Sequence, residues 1–378
     1  MKTNAKHLKE IAFLFFKMGC VAFGGPAAHI AMMENEVVHK RKWMTRQYFL
    51  DLVGATNLIP GPNSTEMTMH CGHTRGGFLG LFIAGISFIL PAVTITGFLA
   101  WLYTTYGELP EVTPFIYGIK PAVLVIITMA IIKLGKKAIK NIELALLGIL
   151  VISTTFLGLN EITVLLLGGL LGTIYFSTKN QTKGINANIT PLLLLKAPMF
   201  SVTKMISTSS VFWSFLKVGT ILYGSGYVLF AYLDAELVAN GILTRQELID
   251  AIAIGQLTPG PVLSTATFIG YQINGIYGAI AATIGIFLPS FIFVLLLNPL
   301  VTKMRQSKTL SYFLDSVNVA AVAIMIVVLL KMSYTTLISY KEIGILFVSI
   351  LFIVKAKKMN SMWLVPIGSL LGFFLNLL

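Results

Sequence analysis

Asn57-Leu58-Ile59-Pro60-Gly61-Pro62-Asn63-Ser64-Thr65 and, 199 residues later, Gln256-Leu257-Thr258-Pro259-Gly260-Pro261-Val262-Leu263-Ser264-Thr265 are the two stretches on which the fold turns. Pro-Gly-Pro cannot continue a helix, because proline lacks an amide hydrogen and its ring clashes with the preceding turn. Yet each copy is preceded by a run with a helical pattern, residues 50–59 and 247–258. At 1.5 Å per residue such a run is about 15 Å long, half of a hydrocarbon layer roughly 30 Å thick. A short apolar helix, a rigid break and a second short segment predict a re-entrant hairpin. Broken backbone at membrane depth is tolerated only where protein buries it or water lines it.

Working outward, the duplication extends well beyond these loops. Phe15-Phe16-Lys17-Met18-Gly19, Phe23-Gly24-Gly25-Pro26 and Glu36-Val37-Val38 are answered by Phe215-Leu216-Lys217-Val218-Gly219, Tyr223-Gly224-Ser225-Gly226 and Glu236-Leu237-Val238, an offset of 200 residues. Arg46, Gln47 and Asp51 are answered by Arg245, Gln246 and Asp250. Ordered matches at a nearly constant offset mean an internal repeat. The expected organisation is an N-terminal repeat over residues 1–177, a cytoplasmic linker over 178–210 and a C-terminal repeat over 211–378.

Composition fixes the medium. Of 378 residues, 56% are hydrophobic and 11% charged, less than half the charge of a soluble domain, and the mean hydropathy is +0.83. The chain reads as an all-α polytopic membrane protein. Its net charge of +13 belongs to lysines and arginines in short loops, where they set topology and meet anionic lipid, rather than to nucleic-acid binding. The two cysteines imply no disulfide framework, and the polar residues 1–10 do not open a cleavable signal pattern.

The first half parses into spans at about 11–33, 77–103, 113–132, 142–159 and 162–176, and the second at about 211–233, 275–300, 313–330, 343–354 and 362–378. Five crossings plus a hairpin that returns to its own side are odd in number, so the second repeat is expected to be inverted. With the loop after the first span in the cytoplasm, 19 lysines and arginines fall inside and 6 outside, as the positive-inside rule requires.

Several residues could carry chemistry. Gly24, Gly25 and Pro26, and likewise Gly224, Ser225 and Gly226, interrupt apolar spans and predict discontinuous helices. The amides at the start of a second helical half favour anions, and inverted-repeat transporters build sites this way. The other reading is a packing kink. Around Pro60, Gly61, Pro62 and Pro259, Gly260, Pro261 cluster Asn57, Asn63, Ser64, Thr65, Gln256, Thr258, Ser264 and Thr265, whose hydroxyls and amides can replace the hydration of an oxyanion. Asn63 and Glu66 also fit a capping box. Lys17 and Lys217 could neutralise a dianion or snorkel to the interface. Glu36 and Glu236 are candidates for proton coupling. Asp51 and Asp250 are expected to pair with Arg46 and Arg245. His70, Cys71 and His73 lack the fourth ligand of a metal site. No nucleophile elbow, phosphate loop or dinucleotide fingerprint points to an enzyme or a cofactor.

Phe23-Gly24-Gly25-Pro26-Ala27-Ala28-His29-Ile30, followed by Glu36-Val37-Val38 and Trp43, resembles the chromate ion transporter family, as does the stretch from Asn57 to Thr65. The likeness covers nearly the whole chain and is to the long, two-domain members. It implies chromate efflux across a bacterial cytoplasmic membrane, coupled to protons, with sulfate as the physical look-alike. The family pattern falls on Gly24, Gly25, Pro26, Glu36, Asn57, Pro60, Gly61 and Pro62, and in the second copy on Gly224, Gly226, Gln256, Pro259, Gly260 and Pro261. Ser225 and the missing proline after it depart from that pattern. The partners expected are an oxyanion, protons and lipid, and a homodimer is compatible with the chain. Alternatives are a passive anion channel and an importer of sulfate or another oxyanion.

Overall fold

A computed structural model of the chain describes residues 5–23, 25–56, 59–179, 207–223, 226–297, 307–355 and 363–376. These residues form helices and connecting turns, with no strand among them. The first half contains α1 (Ala5–Val21), α2 (Pro26–Met33), α3 (Arg46–Thr56), α4 (Asn63–Tyr106), α5 (Thr113–Ala138), α6 (Ile142–Phe156) and α7 (Glu161–Lys179). The second contains α8 (Thr208–Ile221), α9 (Leu229–Leu233), α10 (Arg245–Leu257), α11 (Thr265–Leu297), α12 (Lys308–Thr336), α13 (Tyr340–Lys355) and α14 (Leu364–Asn376). In both halves the short second helix runs on into a π-helical turn, Glu34–Lys40 and Asp234–Val238.

Among the described residues, five helical stretches are long and apolar enough to cross a membrane: Asn63–Tyr106, Thr113–Ala138, Glu161–Lys179, Val262–Leu296 and Lys308–Thr336. The expected first span of the first half, 11–33, is not formed as a crossing. It is broken, and Glu10 near the start of α1 meets Arg41, just beyond α2, at 3.0 Å and Arg75 at 3.0 Å. The chain thus returns to the end it left, and residues 5–10 lie with that loop rather than across the membrane from it. The expected first span of the second half is broken in the same way. Helix α1 stops at Val21 and α2 starts at Pro26, while α8 stops at Ile221 and a tight turn, Gly226–Val228, leads into α9. Proline at the first helical position suits its fixed φ and missing amide hydrogen.

The 44 residues of α4 are not one rod. At Gly77 the backbone turns to φ 60° and ψ −150°, and the chain doubles back. A Cβ on Gly72 would strike the Gly80 carbonyl and the Ala84 methyl, although residues 72 and 80 would stand about 12 Å apart on a straight helix. Helix α11 repeats the device at Gly275, φ 54°, with Gly270 against Gly278 and Ala282. A hydrogen bond of 2.7 Å between Thr267 and Thr283 clips its two arms together. Each long helix is thus a short arm following Pro-Gly-Pro and a long arm folded against it.

The halves interlock. Helix α5 packs on α14, and α12 packs on α5, α6 and α7. Lipid tails are as apolar as leucine, so helices in a bilayer gain contact chiefly by close approach at small residues. A Cβ on Gly118 of α5 would run into the backbone of Gly368 and Gly372 of α14, and Gly169 and Gly172 of α7 sit against Val317 and Ser316 of α12. Lys331–Glu161 at 3.0 Å and Lys140–Asp315 at 2.6 Å add ion pairs across the same seam. Outward faces of α6 and α7 carry exposed Ile142, Leu146, Ile149, Leu170 and Leu171.

Candidate functional site: two broken helices and two Pro-Gly-Pro loops

Where α1 ends, its last carbonyls have no amide one turn ahead to accept from. The Ala22 carbonyl takes two donors from elsewhere: the Gly260 N–H at 2.9 Å and His29 Nε2 at 3.0 Å. His29 is buried and donates from α2, so it ties both sides of the break together, with Phe88 edge-on beneath it. The second half repeats the scheme with other side chains. The Leu222 carbonyl accepts the Gly61 N–H at 2.7 Å, and the Ile221 carbonyl accepts the Tyr232 hydroxyl at 2.8 Å. Each Pro-Gly-Pro loop is therefore bonded to the break of the opposite half, reciprocally.

Glycine is required at the centre of each loop. Gly61 has φ 141° and Gly260 φ 91°, conformations that side chains disfavour. Space forbids one as well. A Cβ on Gly61 would strike the Glu66 carboxylate and the Ser290 hydroxyl, and one on Gly260 would strike Ala92. Gly25, at φ 78°, precedes α2. No side chain caps α2, α4 or the turn Val262–Ser264, whose preceding residues are Gly25, Pro62 and Pro261. Those amino-terminal ends, which adjoin the break and the two loops in the chain, keep their partial positive charge.

Polar side chains gather here. Thr65 Oγ1, Gln256 Nε2 and Ser264 Oγ are buried without a hydrogen-bond partner, an arrangement rare in native interiors and informative where it clusters. Ser64 is buried as well. Thr265 turns back to the Val262 carbonyl at 2.8 Å, and Thr96 donates to Thr258 across the halves at 3.3 Å. Gly25, Pro26, Pro60 to Thr65, Gly226, Gln256, Pro259 to Pro261, Ser264 and Thr265 thus lie on or next to the two loops and breaks. Gly24, Asn57, Gly224 and Ser225 lie outside the described residues.

Four other candidates are placed differently. Lys17 is on the exposed face of α1 with Phe13 and Val21, and Lys217 is 49% exposed and paired with Glu236 at 2.6 Å. A pair of buried lysines flanking a dianion is therefore not formed. Glu36 is held by Lys40 at 2.7 Å and Arg41 at 3.4 Å. The Lys40 ammonium keeps its carboxyl below the usual range, against a smaller opposing push from burial. A carboxylate so held is ionised throughout the neutral range, the wrong poise for carrying protons.

The loop aspartates also differ from expectation. Arg46 pairs with Glu34 at 2.9 Å and Arg245 with Asp234 at 3.0 Å, corresponding pairs across the repeat. Asp51 instead accepts the Gln47 amide at 3.2 Å. Asp250 is buried between halves, accepting the Tyr103 hydroxyl at 2.7 Å and facing Lys120 at 3.5 Å. Nor does Asn63 cap α4, since the capping position is Pro62. Glu66, read from sequence as that cap's partner, is wholly buried beside Gly61. Its signal was available, as it is the lone acid between Asp51 and Glu108, and an acid within an apolar span is a functional pointer by default.

Comparison with known proteins agrees with this architecture. The chromate transporter family profile matches twice, over residues 9–173 and 209–373. A probable chromate transport protein of Synechococcus elongatus is 31% identical over 325 residues, 84% of this chain and 82% of that protein. A chromate transport protein of Cupriavidus metallidurans is 26% identical over 374 residues, 97% of this chain and 92% of that one. A third, from Pseudomonas aeruginosa, is 29% identical over 82% of this chain and 77% of its own length. No solved structure matches the chain. With both repeats matched and the relatives covered over most of their length, this chain belongs to the chromate transporter family.

Proposed function

We propose that the protein is a secondary active transporter that exports chromate, with sulfate as its closest competitor, by alternating access between two inverted repeats in a bacterial cytoplasmic membrane. The observation that carries this reading is the reciprocal crossing, with Gly61 N–H on Leu222 and Gly260 N–H on Ala22. Supporting it are the helix starts without a side-chain cap and the unpartnered Thr65, Gln256 and Ser264, which belong to the segments flanking these loops. A tetrahedral dianion sheds its water only where amides and hydroxyls replace it, and backbone N–H groups at helix starts do so without a cation. A cation filter would present carbonyl or carboxylate rings instead.

Coupling to protons is part of the same proposal, as is the placement of each Pro-Gly-Pro loop at the tip of a re-entrant hairpin. The test is uptake of labelled chromate and sulfate into inverted vesicles, with and without an imposed pH gradient. Gradient-dependent accumulation of chromate supports the reading. Accumulation of neither anion ends it, and flux indifferent to the gradient would make the protein a passive anion pathway.

A further inference from the structure

Glu66 sits in the first turn of α4 with no exposed surface. Its carboxylate lies over Gly61, whose N–H is the bond to the opposite half, and the group set against it is the Ser290 hydroxyl, which comes from that half. Among the described residues neither oxygen is bonded to a cation or to a backbone N–H. A titratable group within electrostatic reach from another element, among the described residues, is Tyr223, on the break of the second half. His70 lies one turn further along α4, and His29 is buried on α2.

A wholly buried carboxylate with no cation bonded to it is costly to hold ionised, whereas the neutral acid offers one O–H donor and can still accept. An ionised Glu66 would also repel a dianion at the crossing, in a setting with little dielectric screening. The second repeat has no counterpart. Aligned on Pro-Gly-Pro, Thr265 stands where Glu66 stands, and Ala92 meets Gly260 as Ser290 meets Gly61. Polar contact with a titratable group is thus built at one loop and omitted at the other.

From this geometry we infer that Glu66 is the proton-binding group of the transporter and takes up one proton when an oxyanion binds at the crossing. The inference rests on the proposed anion transport and names the residue that couples it to protons. By linkage, the factor by which the proton tightens the anion is the factor by which the anion tightens the proton. The proton enters as H⁺ from the solvent on the side where the anion binds, converts the carboxylate to the acid, and leaves to solvent with the anion on the other side. Each cycle thus moves one dianion and one proton in the same direction, a net single negative charge whose export an inside-negative potential drives.

The experiment uses the purified full-length protein and measures affinity for sulfate, which stays dianionic, and for chromate, from about pH 5 to about pH 9, a range that brackets carboxyl and imidazole titration. Wild-type affinity should fall about tenfold per pH unit above the titration point. Unbuffered solution should lose about one proton per anion bound. Glu66→Gln, a neutral isostere, should bind with pH-independent affinity and take up none. A Glu66→Gln protein that keeps the slope overturns the inference. Should that variant not fold, Ser290→Ala should displace the midpoint of the slope, and an unmoved midpoint overturns it equally. If wild-type protein binds neither anion, the transport reading fails by itself. Infrared difference spectra then decide Glu66 separately: a carboxylic-acid C=O band at neutral pH supports protonation if Glu66→Gln removes it, and overturns it if wild type and variant are alike.

Discussion

At the scale of single residues, the site depends on places where a side chain is forbidden. Gly61→Ala adds one methyl group where φ is 141° and where Glu66 and Ser290 already stand. We expect loss of chromate transport with a folded-state cost of about 2 to 5 kcal/mol, the sum of overpacking and left-handed strain. Membrane-inserted protein, quantified by fluorescence-detected chromatography, should remain while flux disappears. Loss of inserted protein in step with flux would make Gly61 a packing residue only. His29→Ala removes the donor that joins α2 to the Ala22 carbonyl and should cost about 1 to 3 kcal/mol, as for other buried bonds broken on one side. Its second-half analogue, Tyr232→Phe, removes only the hydroxyl and should cost about 1 kcal/mol.

At the scale of elements, the doubled-back helices make a comparison possible. Gly77→Ala meets nothing within 4 Å but inherits φ 60°, so it should destabilise by about 1 to 2 kcal/mol through backbone strain alone. Gly72→Ala keeps an ordinary helical backbone but collides with Gly80 and Ala84, and should cost more, because backbone cannot move aside as a flexible side chain can. Melting temperatures in detergent check the order, and the reverse order would mean that the arms are not packed as described. Between halves, Lys120→Met leaves Asp250 buried with only Tyr103. That should cost on the order of 2 kcal/mol, moderated because Lys120 is partly exposed, and adding Asp250→Asn should recover part of the loss.

An electrostatic cluster at the foot of α1 behaves differently with pH. Glu10 accepts from Arg41 at 3.0 Å, Trp43 at 3.3 Å and Arg75 at 3.0 Å. Burial pushes its carboxyl up, but Arg75 and Arg41 prevail and hold it below the ordinary value. A depressed folded-state value means the stabilisation is present above the unfolded value and lost as pH falls through the folded one. Thermal stability should therefore decline on acidification below the ordinary carboxylate range. Glu10→Gln should flatten that decline by less than about 1 kcal/mol, given its partial exposure.

At the scale of the whole molecule, the repeats were legible in sequence and their interlocking was not. Proline and glycine act locally, so the breaks before Pro26 and Gly226 and both Pro-Gly-Pro loops could be placed from spacing alone. The expected spans even began at Gly77 and Gly275, where the chain doubles back, though nothing in composition distinguished a reversal from a loop. The bonds from Gly61 to Leu222 and from Gly260 to Ala22 join residues far apart in the chain through backbone atoms, which leave no mark on residue type. Glu66 was misplaced for a related reason, since the spacing of a helix cap hid an acid whose surroundings come from the other repeat. Lys17, Lys217, Glu36 and Glu236 were singled out as matched charges, but matched charges at a repeat's periphery settle into ordinary ion pairs or open faces as readily as into a pathway.

The proposed inversion of the repeats has a direct test at this scale. Single cysteines replacing Lys42 and Asn240, exposed in corresponding loops, should react with an impermeant maleimide from opposite sides of the membrane. Labelling from the same side would mean parallel repeats and would remove the basis for alternating access.

The cross-repeat bonds have one more implication. Both partners in each are main-chain atoms, so no exchange of side chains can delete them, short of a proline that removes the amide hydrogen itself. A joint drawn in the polymer rather than in its substituents is indifferent to drift in the residues around it. Lineages that now agree at little more than a quarter of their positions could then keep the same clasp while rewriting nearly everything it holds.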